Sequence, residues 1–133
     1  MASSYDPAAL SDSAHSFLTE RHLATLTTRT PNGNLQVTPV GVTYDPARGL
    51  ARVITWATSR KAENVAQDPG QQVAVCQVDG GRWLTIYGSA TVSADPGAVA
   101  EAVQRYTERY RAPKQRDDRV VIEIDVTRII GRA

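Results

Sequence analysis

Apolar residues in this chain alternate with polar ones over short runs, and the alternation predicts six strands. They are His22 to Thr28, Leu35 to Tyr44, Leu50 to Trp56, Gln71 to Val78, Arg82 to Ser93 and Arg119 to Val126. The punctuation between them is turn chemistry: Asn32-Gly33, Asp45-Pro46 through Gly49, Asp68-Pro69-Gly70 and Asp79-Gly80-Gly81. Pro39 inside the second run cannot donate to a ladder, so that strand belongs at an edge or carries a bulge. Three stretches follow a helical period instead. Leu10, Ala14, Phe17 and Leu18 share one face, with Ser11 or Ser13 as the cap. A short helix runs from Ser59 to about Gln67. A third opens on Asp95-Pro96, with Val99, Ala102, Val103, Tyr106 and Tyr110 as the apolar stripe and Glu101, Gln104, Arg105, Glu108 and Arg109 opposite. Met1 to Ala9 reads as a loose leader, and the whole as one domain, residues 1–133.

Strands joined mostly by hairpins predict a mainly β fold, a six-stranded antiparallel barrel with flanking helices, because closure removes adhesive edges. A barrel this small is filled by its own side chains, so a large ligand must lie on its outer wall. A flat wall buries a ligand poorly, and a second subunit would close the groove. A homodimer is therefore expected.

Composition narrows the partners. A chain of 133 residues with 41% apolar and 22% charged residues has the make-up of a soluble globule. A formal charge of +1 supplies no field for nucleic acid or an anionic membrane. Cys76 is the single cysteine, which suits a reducing cytoplasm. The N-terminal residues do not read as a signal peptide, and no apolar run reaches the roughly 20 residues that span a bilayer.

The stretch with chemistry is Val53 to Val65, V-I-T-W-A-T-S-R-K-A-E-N-V, a strand that turns into a helix. Ser59 can cap that helix. Arg60 and Lys61 then stand in its first turn, where the helix dipole penalises each cation by about 0.3–1 kcal/mol. An anion held by the amides, the Ser59 hydroxyl and both cations would reverse the sign, which makes the stretch a candidate phosphate clamp. Two solvated cations on a surface helix are the plain alternative. Other constellations carry less. His15 and His22 have no ligand-spaced cysteine or carboxylate, so no metal is expected. Cys76 reads as a small core residue, Ser89 and Ser93 lack an elbow motif, and Arg105, Arg109 and Arg111 read as a solvated helix face. Trp83, beside the two-glycine turn, could pack between sheet and helix or stack on a ring.

The order strand, T-W-A-T-S-R-K, helix, then a strand pair ending at Gly88, resembles the split β-barrel flavin and deazaflavin oxidoreductases, which include the pyridoxamine 5′-phosphate oxidases. F-L-T-E-R-H-L-A-T-L-T-T from Phe17, V-G-V-T-Y-D-P from Val40, A-R-V-I-T from Ala51, S-R-K-A-E-N from Ser59, Q-V-D-G-G-R-W-L from Gln77, R-Y-T-E-R-Y-R-A-P from Arg105 and R-V-V-I-E from Arg119 narrow the likeness. They resemble the deazaflavin (coenzyme F420) branch, and within it the actinobacterial F420-dependent biliverdin reductases. The resemblance implies a cofactor phosphate on Ser59, Arg60 and Lys61, with Thr55 and Thr58 lining the same corner. It also implies Asn64, Gln77 and Trp83 as further cofactor contacts, Trp83 across a dimer interface. F420 is the implied cofactor, FMN the alternative. Biliverdin or a similar conjugated molecule is the implied acceptor, its propionates meeting Arg82, Arg29 or Lys114. A non-catalytic cofactor or tetrapyrrole carrier is the remaining alternative. No catalytic side chain is implied. L-Q-V-T-P-V-G-V-T-Y stands where the pyridoxamine phosphate oxidases carry an arginine and a lysine, and their basic tail is not seen here, so oxidation of that vitamer is not expected.

Overall fold

The structure, a computed structural model, describes residues 2–133. Its centre is a long strand, β8 (Arg119–Arg132), whose core-facing residues Ile122, Ile124 and Ile129 are fully buried. On one side β8 pairs along its length with β7 (Arg82–Ser93). On the other it pairs with β5 (Leu50–Trp56) and, past the middle, with β1 (Ser3–Tyr5). Outward from β7 come β6 (Gln71–Asp79), β2 (Ala24–Arg29) and β3 (Leu35–Val40); outward from β5 comes β4 (Thr43–Asp45). All pairs are antiparallel, in the order β3-β2-β6-β7-β8-β5-β4. Among the described residues no ladder joins the two ends of that order; the backbone does, running from β3 into β4 through Gly41 and Val42. The sheet thus curls back on itself as a split barrel around Phe17, Leu26, Leu84 and Ile86.

The sheet has eight strands where the alternation predicts six. The expected strand from Leu35 to Tyr44 breaks into β3 and β4 at Gly41, where a Cβ would come within 2.7 Å of the Tyr106 ring. Pro39 sits on the edge strand β3, opposite Thr25. β8 continues past Val126 because a bulge hides its second half. Gly88 pairs with Val126 and Tyr87 with Arg128, leaving Thr127 over. The bulge shifts the inward phase from Val120, Ile122 and Ile124 to Ile129 and Gly131, so a simple period of two stops there. Gly88 has no room for a side chain against the Asp125 carbonyl. The leader is not loose: Ser3–Tyr5 pair with Ile129–Gly131, and the Tyr44 hydroxyl donates to the Pro7 carbonyl.

Three helices cover the sheet, each opened by a side-chain cap. They are α1 (Asp12–Thr19, capped by Ser11), α2 (Arg60–Gln67, capped by Ser59) and α3 (Pro96–Arg109, capped by Asp95). In α3 the apolar stripe is only part of the buried face. Arg109, expected in solvent, is 8% exposed. Its guanidinium donates to the carbonyls of Glu20 (2.9 Å), Val42 (2.6 Å) and Phe17 (3.3 Å), and to Gln77 Oε1 (2.5 Å). Tyr110, half-buried, donates to the His22 carbonyl and accepts from the Val42 amide. One turn earlier Arg105 and Glu101 join buried Arg52 and Asp45 in a four-charge bridge from α3 to β4 and β5.

Replacing Arg109 with methionine keeps the volume but takes this donor from the buried Val42 carbonyl and Gln77 amide oxygen, and also from the Phe17 and Glu20 carbonyls. Each such group costs roughly 1–3 kcal/mol. Arg109→Met is expected to lower the unfolding free energy by at least about 3 kcal/mol in urea titrations.

Candidate functional site

The corner between β5 and α2 is built by local bonds. The Ser59 amide donates to the Trp56 carbonyl (3.0 Å), which closes the turn, and the Ala57 amide donates to the Asp118 carbonyl (2.9 Å), which ties it to the start of β8. The Ser59 oxygen accepts from the Ala62 amide (3.2 Å) and from the Thr55 hydroxyl (2.8 Å). Both lone pairs are then used, and its own O–H remains to donate. Thr55 and Ser59 are buried, Thr58 lies exposed in the turn, and the amides of Arg60 and Lys61 have no carbonyl one turn earlier in the helix.

Arg60 is exposed and Lys61 half-buried. Among the described residues neither forms an ion pair, not even with Glu63 in the same turn. Loss of hydration pulls the Lys61 pKa below its ordinary value. Its ammonium lies 5.1 Å from the centre of the Trp56 ring, and the Arg116 guanidinium 4.9 Å from the same ring. Beside them runs a groove lined by Pro39, Gly41, Ile54, Trp56, Tyr106 and Arg119. It encloses about 200 Å³, less than the roughly 300–1,000 Å³ of a complete small-molecule site. The donor set suits a phosphate: a free hydroxyl hydrogen, two amides and two cations stand on three successive residues at the start of α2, with Glu63 in the same turn.

The remaining expected contacts lie elsewhere. Asn64 is buried, and its amide donates to Thr28 Oγ1 (3.1 Å) and Gln36 Oε1 (3.3 Å), which joins α2 to β2 and β3. Gln77 is 2% exposed; it donates to the Phe17 carbonyl and accepts from Arg109. Both amides are committed to the interior, so neither faces the groove. Trp83 stands opposite Arg132 on β8, whereas Thr55 stands opposite Val120. That separation is roughly 40 Å along the strand at about 3.3 Å per residue, so within one chain Trp83 and the corner cannot share a ligand. Arg82 is held by Glu20 and Asp79 and lies over the Phe17 ring, and Arg29 is paired with Asp68. The His22 ring bonds to Glu20 (2.9 Å), and no group of three metal-ligating side chains occurs among the described residues. Cys76 is half-exposed on the outer face of β6 rather than buried.

Trp56, Tyr106 and Arg119 in the groove, and Arg116 beside the Trp56 ring, are the residues that pattern reading missed. Strand alternation could have found Trp56, since its neighbour Thr55 points inward. Arg116 comes from the loop before β8 and Arg119 opens that strand; both are distant in sequence from the corner and left no local signal.

The family model described as pyridoxamine 5′-phosphate oxidase matches residues 10–133. The chain belongs to that family. Within the pyridoxamine 5′-phosphate oxidase family, a curated relative from Mycobacterium tuberculosis (strain CDC 1551 / Oshkosh), the F420H(2)-dependent biliverdin reductase, is 47% identical over 124 residues, covering 93% of this chain and 89% of the relative. A solved F420 reductase superposes with a TM-score of 0.70 at 24% identity, over 86% of this chain and 94% of that one. The haem storage protein HutZ from Vibrio cholerae superposes at 0.71 with 17% identity, over 89% and 90%. At those identities the two structures establish the family fold alone. No helix among the described residues is long and apolar enough to cross a membrane.

Ser59→Ala removes the cap of α2 and leaves the buried Thr55 hydroxyl without its acceptor. The expected loss is about 1–2 kcal/mol of stability, read as a lower urea midpoint with an unchanged m-value.

Proposed function

We propose that this protein is a reductase that uses reduced F420 and delivers a hydride to a conjugated acceptor, biliverdin foremost. The observation that carries the reading is the corner of β5 and α2, where Arg60 and Lys61 stand without counter-charges over a freed Ser59 hydroxyl. The 47% identity to an F420H(2)-dependent biliverdin reductase supports the choice of cofactor and acceptor. When bound, the reduced deazaflavin supplies the hydride, and the protein supplies position and electrostatics. Ser59, Arg60 and Lys61 hold the cofactor's phosphate, and Thr55 fixes the Ser59 oxygen so that its hydrogen faces the anion. Thr58 adds a hydroxyl at the turn. The cations gain a partner at the helix end where they otherwise cost stability. Trp56 and Ile54 give the groove an apolar wall that excludes water from one side of a flat ring.

The groove is too small to enclose such a pair of ligands alone, and we propose that a second copy of this chain completes it. The outer face of the β3-β2-β6 edge supports this. Leu35 and Val37 on β3 are 70% and 61% exposed, and towards the other end of the same strands Leu23 and Val78 are 66% and 63% exposed. That much apolar surface on adjoining strands favours a partner. Trp83, remote within the chain, then meets the cofactor only as a contribution of the other subunit. The single free thiol suits a cytoplasmic setting.

Two measurements test the reading. Titration with F420 and FMN in parallel should show tighter binding of F420. The Arg60→Ala/Lys61→Ala variant should bind it at least roughly tenfold more weakly, since a charged hydrogen bond contributes about 1.5–3 kcal/mol. Equal affinity in that variant excludes the clamp. Tight F420 binding with no fall in biliverdin absorbance when reduced F420 is added would make the protein a carrier. Light scattering should give twice the chain mass for the wild type and the monomer mass for Leu35→Asp/Val37→Asp, with F420 affinity lost. An unchanged mass in the variant refutes this interface.

A further inference from the structure

Past Arg119 and Pro113 the groove opens into a second trough, between α3 and the segment 110–118. Its floor is apolar, formed by Val99, Val103, Ala112 and Pro113, and Lys114 and Arg119 stand on its rim. No carboxylate lines either hollow. In a chain whose formal charge is only +1, several of the cations away from the groove are paired with carboxylates. Arg52 meets Asp45 and Glu101, Arg82 meets Glu20 and Asp79, and Arg29 meets Asp68; in the trough itself Arg116 is paired with Asp118. Lys114 forms no ion pair among the described residues. The Arg119 guanidinium donates to the Lys114 carbonyl, which holds this stretch of the loop over the trough. Arg119 also helps keep Asp118 ionised, but that carboxylate is already taken by Arg116.

We propose that this trough is the acceptor's specificity site. The apolar floor carries the hydrocarbon body of one end of the acceptor, and Lys114 receives a terminal carboxylate there, with Arg119 positioning the loop. At about 300 Å³, the trough is at the lower limit of small-molecule sites and has room for one end of a long conjugated molecule. The other end extends into the groove beside Trp56. An acidic tail of a cofactor fits less well, since it would leave Val99, Val103 and Pro113 uncovered and forgo their burial. The proposal rests on the reductase reading above and adds the residue that selects a carboxylate-bearing acceptor.

Steady-state reduction of biliverdin and of its dimethyl ester by wild type, Lys114→Ala, Lys114→Glu and Lys114→Arg decides it, with F420 affinity titrated for each. Lys114 is exposed and caps nothing, so the variants are expected to fold. The KM for the diacid should rise roughly tenfold in Lys114→Ala, the loss of one charged hydrogen bond. It should rise further in Lys114→Glu and return in Lys114→Arg, with kcat preserved. The ester should show one KM across all four proteins, and F420 affinity should not move. A diacid KM unchanged in Lys114→Glu overturns the proposal, as does a loss that appears in F420 affinity instead. A wild type that reduces neither compound removes the reductase reading and this inference together; an active wild type with an indifferent Lys114 removes this inference alone.

Discussion

The guanidinium of Arg109 holds together elements that no hydrogen-bond ladder connects. Through it the end of α3 grips the last turn of α1, the corner between β3 and β4, and the middle of β6. All its partners are uncharged oxygens, so the cation is buried without a counter-charge, and burial pulls its pKa below the ordinary arginine value. An arginine tolerates this where a lysine would lose its proton, because its charge is delocalised and its donors form a rigid fork. The constraint matters most at Val42. With that carbonyl bound by Arg109 and its amide by Tyr110, the corner is fixed and Gly41 is pressed against the tyrosine rings. Gly41 also lines the groove beside Trp56, so the same pin that ties α3 to the corner between β3 and β4 shapes the wall of the candidate site.

A contrast in charge separates scaffold from site. Arg52 lies deep between α3 and the sheet and is matched by two carboxylates. Two other buried polar groups, Asn64 and Gln77, are spent on joints between elements. At the corner the pattern reverses: cations gather at the positive end of a helix, one of them partly stripped of water. Buried charge that supports the fold is matched by carboxylates, as at Arg52, or by a full set of neutral oxygen acceptors, as at Arg109. Charge left unsatisfied at a cost in stability is what marks a place built for something that arrives from outside.

Much of this was legible in the chain because its causes are local. The bounds of β5, β7 and α2 follow from alternation and punctuation, Ser59 and Asp95 cap their helices as their positions predict, and of the two candidate serines Ser11 caps α1. What was not legible depends on partners distant in sequence. The break at Gly41 is imposed by Tyr106, and the inversion of phase in β8 by the close approach of Gly88. Arg109 sits on the polar side of an amphipathic helix, and only the fold shows that three carbonyls converge there. Asn64 and Gln77 carried the right chemistry for a ligand, and burial assigned them to the interior. The first residues looked unstructured because a three-residue strand has no pattern of its own; it borrows order from β8.

The placing of the two indoles has a practical consequence. Trp56 stands at the corner with Lys61 and Arg116 beside its ring, and Trp83 lies at the far end of the same sheet. An incoming anion that draws those two cations aside alters the electric field across the Trp56 chromophore. The protein thus carries its own optical gauge of occupancy, legible in ultraviolet emission without any added label.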